Sequence, residues 1–258
     1  MSDLIRLVIS DKRLKDINQN ILKLTSNESH YLTKVMRIRL GQRIFILNGR
    51  GSLWECEIIE KNLVKVLNYG SPLFKNNKEK IQLGLAVVIP KNGFENILKM
   101  ATEIGIDIFQ PLYSDRQVKK KSNFSEKLLR WDSILNESVE QCERLWKPIL
   151  LDPMNVKEWF PNLIDTDYLS ISVTRERNSQ YLKRWLDDIN LGANQRNIIW
   201  NAIGPEGGWS YDELEIFKKN NIMTVKLSES ILRTPTAAIN ASTILNYWRD
   251  EIKEIRLK

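Results

Sequence analysis

The sequence predicts an α/β protein in which a small β-barrel domain precedes a larger domain built on a mostly parallel sheet. Short apolar runs with tight turns occupy about the first 70 residues, and a polar segment containing glycine and proline covers residues 70–80. After residue 80, apolar runs alternate with segments of helical periodicity, which favours a parallel sheet with helices on both faces. We therefore expect one domain over residues 1–72 and a second over residues 80–258.

Three apolar runs predict strands in the N-terminal domain: Leu4–Ile9, Arg43–Leu47 and Leu53–Ile59. Between the last two lies the segment Asn-Gly-Arg-Gly at positions 48–51, a hairpin signal because asparagine and glycine tolerate positive φ. A helix is expected from about Glu28 to Arg37. Several short strands joined by tight turns favour a small barrel.

The second domain begins with an apolar run, Ile81–Ile89, that predicts a strand ended by Pro90. A helix follows, with apolar residues at helical spacing between positions 94 and 104. We expect a short strand at Ile106–Phe109 stopped by Pro111, and a longer helix from about Ser125 to Arg144. Further strands are predicted at Tyr168–Val173, Asn197–Ile203 and Ile222–Leu227.

Composition limits the classes of protein to which the chain can belong. Its 258 residues are 42% hydrophobic, enough to bury a core and too apolar for a disordered protein. The net charge of +7 suits a polyanionic partner such as RNA, although charge alone leaves open a well-solvated basic protein. The two cysteines lack metal-ligand spacing, and neither a signal peptide nor a transmembrane segment is evident, so we expect reduced thiols and a cytoplasmic location.

Several common catalytic motifs are absent from the strand-to-helix turns, where open parallel sheets bind ligands. The sequence contains no G-x-G-x-x-G after a strand, no phosphate-binding P-loop and no G-x-S-x-G element. His30 is the single histidine, which excludes His-rich metal sites and argues against a Ser-His-Asp triad. We therefore expect a site without a metal.

Two turns in the C-terminal third are candidates for chemistry. The first, Gly-Pro-Glu-Gly-Gly-Trp at positions 204–209, directly follows a predicted strand, and its glycines would let the backbone come close to a ligand. Ser210 and Glu213 then form a capping-box pattern that predicts a helix. By itself this motif is equally compatible with an ordinary glycine-rich turn.

The second turn runs from Leu227 to Ala238 and has the sequence LSESILRTPTAA. Thr234 fits a helix N-cap and Pro235 the first helical position, which places Arg233 beside the positive end of a helix dipole. That arrangement suits an anionic group or a developing negative charge. The alternative is a surface arginine near a helix start, the common case for a lone arginine.

Together, GPEGGWS and LSESILRTPTAAI closely resemble the C-terminal signature of the bacterial 16S rRNA uridine N3-methyltransferases of the SPOUT superfamily. Weaker likenesses extend along most of the chain: the segment HYLTKVMR with Gly41, Lys91, the TEIG stretch at 102–105 and EQCER at 140–144. The chain departs from the family where Gly-x-Arg is replaced by Ser228-Glu229-Ser230 and where glutamate is replaced by Pro235.

The resemblance implies a PUA-like RNA-binding barrel followed by a SPOUT domain with a deep trefoil knot, a rare exception to the rule against threaded loops. It implies S-adenosyl-L-methionine as cofactor, 16S rRNA of the small ribosomal subunit as partner, and a homodimer. We expect the helix with Ile239, Ile244, Leu245 and Trp248 to contribute to the dimer interface. The cofactor would contact the two turns at these positions: Ile203, Gly204, Gly207, Gly208, Leu227, Ser228, Ile231, Leu232 and Thr236.

For catalysis, Arg233 is the expected donor to negative charge developing on the uracil oxygens. Glu206 is a candidate general base, with a structural role in the loop as the alternative. Contacts to RNA are expected from Arg37, Arg50, Lys91 and Arg144. Two other functions stay open: methylation of another RNA target such as a ribose hydroxyl, and a ribosome-assembly factor that binds RNA without catalysis.

Overall fold

The computed structural model describes residues 5–17, 19–117, 124–163, 167–176, 178–191 and 196–256, without the side chains of Phe124 and Arg256. These residues form two compact units. The first unit holds the described residues up to Lys78 together with Asn136–Lys147, and the second holds Glu79–Leu135 and Pro148–Lys258. The return of residues 136–147 to the first unit was not expected, because their helical pattern continues that of the residues before them.

The described residues of the first unit form a six-stranded sheet, two short α-helices, a π-helical turn and the end of a longer helix. Its strands, in chain order, are β1 (Arg6–Val8), β2 (Ile21–Lys23), β3 (Arg43–Leu47), β4 (Ser52–Glu60), β5 (Leu63–Val66) and β6 (Phe74–Lys75). Its helices are α1 (Asp11–Lys15) and α2 (Ser26–His30). The strand order is β1-β3-β4-β5-β2, with β6 paired to β4.

This sheet curls around its own core, as the predicted barrel requires. Leu7 from β1 and Leu22 from β2 lie at opposite ends of the strand order, yet both belong to one buried cluster with Ile44 and Val64. The hairpin prediction is confirmed: Leu47 pairs with Leu53, and the Asn48 side chain accepts the backbone N–H groups of residues 50 and 52.

The helix predicted from Glu28 to Arg37 is found over residues 26–35, but its second half has π-helical geometry and it ends two residues early. An α-helix covers Ser26–His30 and then widens into a π-helical turn over Tyr31–Val35. Met36 ends this turn by donating its N–H to the Tyr31 carbonyl. Arg37 follows with φ +54°, a left-handed conformation that stops a helix.

The second unit contains an eight-stranded sheet in which every recorded strand pair is parallel. Its strands are β7 (Ile81–Val88), β8 (Ile108–Tyr113), β9 (Ile149–Leu150), β10 (Met154–Asn155), β11 (Asp167–Ser172), β12 (Gln180–Tyr181), β13 (Asn197–Ile203) and β14 (Met223–Lys226). The strand order is β10-β8-β7-β13-β11-β14-β12, with β9 also paired to β8.

Helices cover both faces of this sheet, which confirms the predicted α/β class. They are α3 (Phe94–Ile104), α4 (Phe124–Gln141), α5 (Val156–Trp159), α6 (Leu182–Asp187), α7 (Tyr211–Lys219) and α8 (Thr234–Arg256). Apolar residues of α3, α6 and α8 share one buried cluster, and those of α5 and α7 share another with Trp200 and Trp209.

The strand expected to stop before Pro111 instead runs through it to Tyr113. β9 pairs with residues 108 and 109, and β10 pairs with residues 112 and 113, which leaves a gap between them beside Pro111. In that gap the Gln110 amide donates to the carbonyls of Pro111 and Asp152, both at 2.8 Å. A proline without an N–H is tolerated where no strand requires its donor.

Two further expectations need correction. The helix predicted to reach Arg144 ends at Gln141, and Glu143 has a left-handed φ of +63°. Leu245 and Trp248, proposed for a dimer interface, are 0% and 2% exposed because they pack into the core of their own unit. The 3.6-residue period predicted the apolar face of α8 correctly, but that face is already covered.

Candidate functional site

Two loops of the second unit lie at the carboxyl ends of neighbouring strands. The glycine loop, residues 204–209, follows β13, and the arginine loop, residues 227–233, follows β14. β11 pairs with both of these strands, so both loops leave the same edge of the parallel sheet. In open parallel sheets this edge is where ligands bind.

Direct contacts connect these loops to each other and to the end of β7. The Thr234 hydroxyl, one residue beyond the arginine loop, donates to the Gly204 carbonyl at 3.2 Å. The Lys91 backbone N–H donates to the Glu206 carboxylate at 3.1 Å. The structure therefore brings together the two turns that the sequence analysis selected, with Lys91 beside them.

The glycine loop has a shape that depends on its glycines. A Cβ atom on Gly204 would lie 2.9 Å from the Trp209 ring, and Gly208 has φ +70°. Trp209 is buried, and its indole N–H donates to the Ser172 carbonyl at 3.0 Å. The loop thus folds back over its own tryptophan, which leaves no room for a side chain at Gly204, and the positive φ disfavours one at Gly208.

Helix α7 begins directly after the glycine loop with the predicted capping box. The Ser210 hydroxyl accepts the Glu213 N–H at 3.1 Å, and the Glu213 carboxylate accepts the Ser210 N–H at 2.7 Å. This reciprocal pair satisfies two donors at the start of the helix. It also fixes the point at which the glycine loop ends.

The arginine loop is held by groups that are mostly exposed. The Lys226 ammonium lies 2.8 Å from the Glu229 carboxylate and 4.5 Å from the centre of the Tyr181 ring, while the Tyr181 hydroxyl donates to Glu229. The hydrogen bond to Lys226, followed by that to Tyr181, lowers the pKa of Glu229. Inside the loop, the Ser228 hydroxyl accepts the Ser230 N–H at 3.1 Å.

Arg233 is exposed and stands at the start of α8. Its carbonyl accepts the Ala237 N–H at 2.8 Å, the first bond of the helix, so Arg233 itself occupies the N-cap position. The expectation that Thr234 would be the cap is wrong by one residue, because the Thr234 hydroxyl turns to Gly204 instead. The guanidinium therefore belongs to the residue at the positive end of the helix dipole.

The proposed cofactor-binding residues differ in exposure along the two loops. Ile203 is buried at the end of β13, whereas Gly207, Ile231 and Thr236 are exposed. The remaining five are half-buried: Gly204, Gly208, Leu227, Ser228 and Leu232. Leu227 and Leu232 also pack against the core of the unit, so the site combines backbone polar groups with apolar side chains.

Three of the residues proposed to contact RNA belong to the first unit. Arg37 is exposed, and Arg50 is exposed with its guanidinium 3.1 Å from the Asp11 carboxylate. Arg144 is half-buried just beyond α4. Near it, the Glu140 carboxylate accepts the Val8 N–H at 2.7 Å, and burial raises the pKa of Glu140 to about 7.

Sequence reasoning missed several side chains around the two loops. Asn240 donates to the Leu227 carbonyl at 3.4 Å, and Arg116 donates to the Gly207 carbonyl at 3.3 Å. Asp115 and Glu213 contact Ser210, where the glycine loop meets α7. The capping box was the one sequence signal for this cluster, and it pointed only to a helix start.

Within the described ranges, no group of three or more His, Cys, Asp or Glu residues could hold a metal ion. None of the helices in that part of the chain is both long and apolar enough to cross a membrane.

Two family models match the chain, one in each part of its sequence. Residues 77–246 match the RNA methyltransferase domain family, and residues 24–67 match the RNA methyltransferase PUA domain family. The chain is 31% identical to the ribosomal RNA small subunit methyltransferase E of Synechocystis, over 93% of this chain and 77% of the relative. It is 30% identical to the protein of the same name from Buchnera aphidicola, over 96% and 95%.

A solved structure shares the fold. The ribosomal RNA small subunit methyltransferase E of Neisseria gonorrhoeae, bound to S-adenosyl methionine, superposes with a TM-score of 0.76 at 21% identity, over 95% of this chain and 97% of that one. The matched domains, the two relatives and the two loops at one sheet edge lead to the same assignment. The chain belongs to the ribosomal RNA small subunit methyltransferase E family of RNA methyltransferases.

Proposed function

We propose that this protein transfers a methyl group from S-adenosyl-L-methionine to ring nitrogen N3 of a uridine in 16S rRNA of the small ribosomal subunit. The main support is the contact between Thr234 and Gly204, which joins the two loops at one sheet edge. The names of the relatives support the RNA substrate, and the Neisseria gonorrhoeae protein supports the cofactor. This substrate implies a cytoplasmic location.

The two loops suit S-adenosyl-L-methionine in their shape and in the backbone polar groups that they offer. The backbone at Gly208 faces open space that a ligand could enter, and Leu227 and Leu232 offer apolar surface to an adenine ring. Ile203, Gly207, Ser228, Ile231 and Thr236 complete the proposed contacts. When bound, the cofactor supplies a methyl group already activated by the positive charge on its sulfonium.

The protein's own residues would have to favour loss of the uridine N3 proton. Arg233 is exposed at the start of α8, and in the proposed reaction its guanidinium would stabilise negative charge developing on a uracil carbonyl oxygen. Glu206 is the candidate base, but its carboxylate already accepts the Lys91 N–H. That bond favours a structural role for Glu206 over proton removal.

RNA would be held mainly by the PUA-like unit. Arg37 and Arg50 expose their side chains there, and Arg144 and Lys91 complete the proposed set of phosphate contacts. Arg37→Ala and Arg50→Ala should each weaken binding of small subunits and lower the slope of affinity against salt by about one unit. Affinity for S-adenosyl-L-methionine should stay unchanged, and a salt slope equal to that of the wild type would remove these residues from the interface.

We also propose that the residues 1–72 and 80–258 act as the PUA-like and SPOUT domains, that the chain around α8 forms a trefoil knot, and that the protein is a homodimer.

Leu245 and Trp248 are buried in their own unit, so any contribution of α8 to an interface must come from exposed positions such as Tyr247. Light scattering at micromolar concentration should give twice the monomer mass. A monomer would contradict the proposed assembly.

The proposed activity is tested by incubating purified protein and S-adenosyl-L-methionine with small subunits from a strain that lacks the endogenous enzyme. Nucleoside mass spectrometry should then show 3-methyluridine. A methyl group on ribose would support another RNA methyltransferase activity instead. RNA binding without any mass increase would support an assembly factor.

A further inference from the structure

The segment that follows β8, Ser114–Gln117, contacts the glycine loop, the start of α7 and the residue after β7. The Ser114 hydroxyl donates to the Glu213 carboxylate at 3.0 Å, and the Asp115 N–H donates to the same group at 3.1 Å. The Ser210 N–H is its third donor, at 2.7 Å. Glu213 is 1% exposed, so this carboxylate depends on all three bonds to offset its loss of water.

Asp115 makes a second connection to the start of α7. Its carboxylate accepts the Ser210 hydroxyl at 2.7 Å and lies 2.8 Å from the Lys157 ammonium. Hydrogen bonding to Asp115 raises the pKa of Lys157 above its ordinary value. Because Ser210 is the first residue after the glycine loop, these bonds determine where the loop ends.

The last two residues of the segment reach the glycine loop itself and the end of β7. Arg116 donates to the Gly207 carbonyl at 3.3 Å, and Gln117 donates to the Ile89 carbonyl at 2.8 Å. The glycine loop is thus bonded to Thr234 at its first residue, to Arg116 in its middle and to Asp115 just after its end.

We propose that Ser114–Gln117 is a positioning segment that holds the glycine loop in the shape that binds S-adenosyl-L-methionine, with Asp115 acting through Ser210. This inference rests on the proposed function. A loop that is already ordered loses less conformational entropy when a ligand binds, so the effect should appear as cofactor affinity. Turnover at saturating cofactor should change little, because none of the four residues is proposed to touch the reacting atoms.

The test is calorimetric titration of S-adenosyl-L-methionine into the full-length protein and its variants. Asp115→Ala and Ser210→Ala should each weaken binding about three- to tenfold, because the bond they lose is partly exposed but connects directly to the start of α7 and, through Asp115, to Lys157. If Asp115 acts through Ser210, the double variant should be no weaker than the poorer single one. Ser210→Thr, which keeps the hydroxyl, should bind within about twofold of the wild type.

Asp212→Ala is the matched control, because Asp212 is an exposed carboxylate in the same first turn of α7 and makes none of these bonds. It should bind like the wild type. Arg116→Ala removes an exposed side chain, so it keeps the role testable if Asp115→Ala does not fold.

Folded variants should show a raised KM for the cofactor and a kcat within about threefold of the wild type, since a fixed loop contributes to binding. Wild-type affinity in Asp115→Ala, or independent losses that multiply in the double variant, would overturn the inference. Failure of the wild-type protein to bind S-adenosyl-L-methionine would instead overturn the proposed function.

Discussion

The glycine loop and the arginine loop leave the same sheet edge, but different kinds of contact hold them. Buried groups fix the glycine loop: Trp209, Thr234 and Glu213 are 6%, 4% and 1% exposed. The arginine loop is fixed mainly by the exposed contacts among Lys226, Glu229 and Tyr181. Exposed ion pairs contribute little to the free energy of folding because water and salt screen them, whereas buried hydrogen-bonded groups are costly to disturb.

This difference leads us to expect that cofactor binding affects the order of the two loops differently. We expect the glycine loop to have the same shape with and without cofactor. The arginine loop has fewer buried contacts, and Ile231 within it is 64% exposed. We therefore expect the arginine loop to become ordered when cofactor binds, which brings Arg233 into its working position.

The largest effect is expected from filling the space of the glycine loop. Gly204→Val together with Gly208→Val should reduce S-adenosyl-L-methionine affinity at least about a hundredfold, because one side chain would strike Trp209 and the other would oppose a positive φ. Calorimetry measures the loss. Gly70→Val, at a position with open space around it, is the control. Undiminished binding in the double variant would show that the cofactor binds elsewhere.

The second largest effect is expected on the methylation rate, from a substitution in the arginine loop. Arg233→Ala should lower the single-turnover methylation rate about a hundred- to a thousandfold, as expected on removal of one preorganised donor. Melting temperature and cofactor affinity should stay close to the wild type, because Arg233 is exposed. If stability and cofactor binding fall together, Arg233 shapes the loop instead. A methylation rate close to that of the wild type would contradict a catalytic role for Arg233.

The smallest effect should come from the exposed contacts of the arginine loop. Tyr181→Phe removes the hydroxyl that donates to Glu229 but keeps the ring beside Lys226. Cofactor affinity should fall by no more than about twofold, which is the range of an exposed polar contact. A tenfold loss by calorimetry would mean that the arginine loop is as firmly preordered as the glycine loop.

Local sequence signals predicted much of the fold because they act over a few residues. The capping box of α7, the hairpin at Asn48 and the strand Asn197–Ile203 are all found as expected. Each of these features is determined by side chains and backbone within one short segment, so nearby residues in the sequence are enough to predict it.

The expectations that were wrong concern features that depend on residues distant in the sequence. Pro111 is accepted inside β8 because of a gap between two other strands, and the Thr234 hydroxyl turns away from its helix to reach Gly204. The glycine and cap patterns at the strand ends, together with the family resemblance, indicated both loops, but neither pointed to Asp115 or Arg116. Their contacts join residues about 90 positions apart in the chain, and no periodicity encodes such pairings.

Hydrogen exchange of the intact protein, with and without saturating S-adenosyl-L-methionine, tests the two-loop site most directly. We predict slower exchange on cofactor binding in both loops, with a small change at residues 204–209 and a larger one at residues 227–233. Calorimetric binding with no change in exchange at either loop would contradict the account.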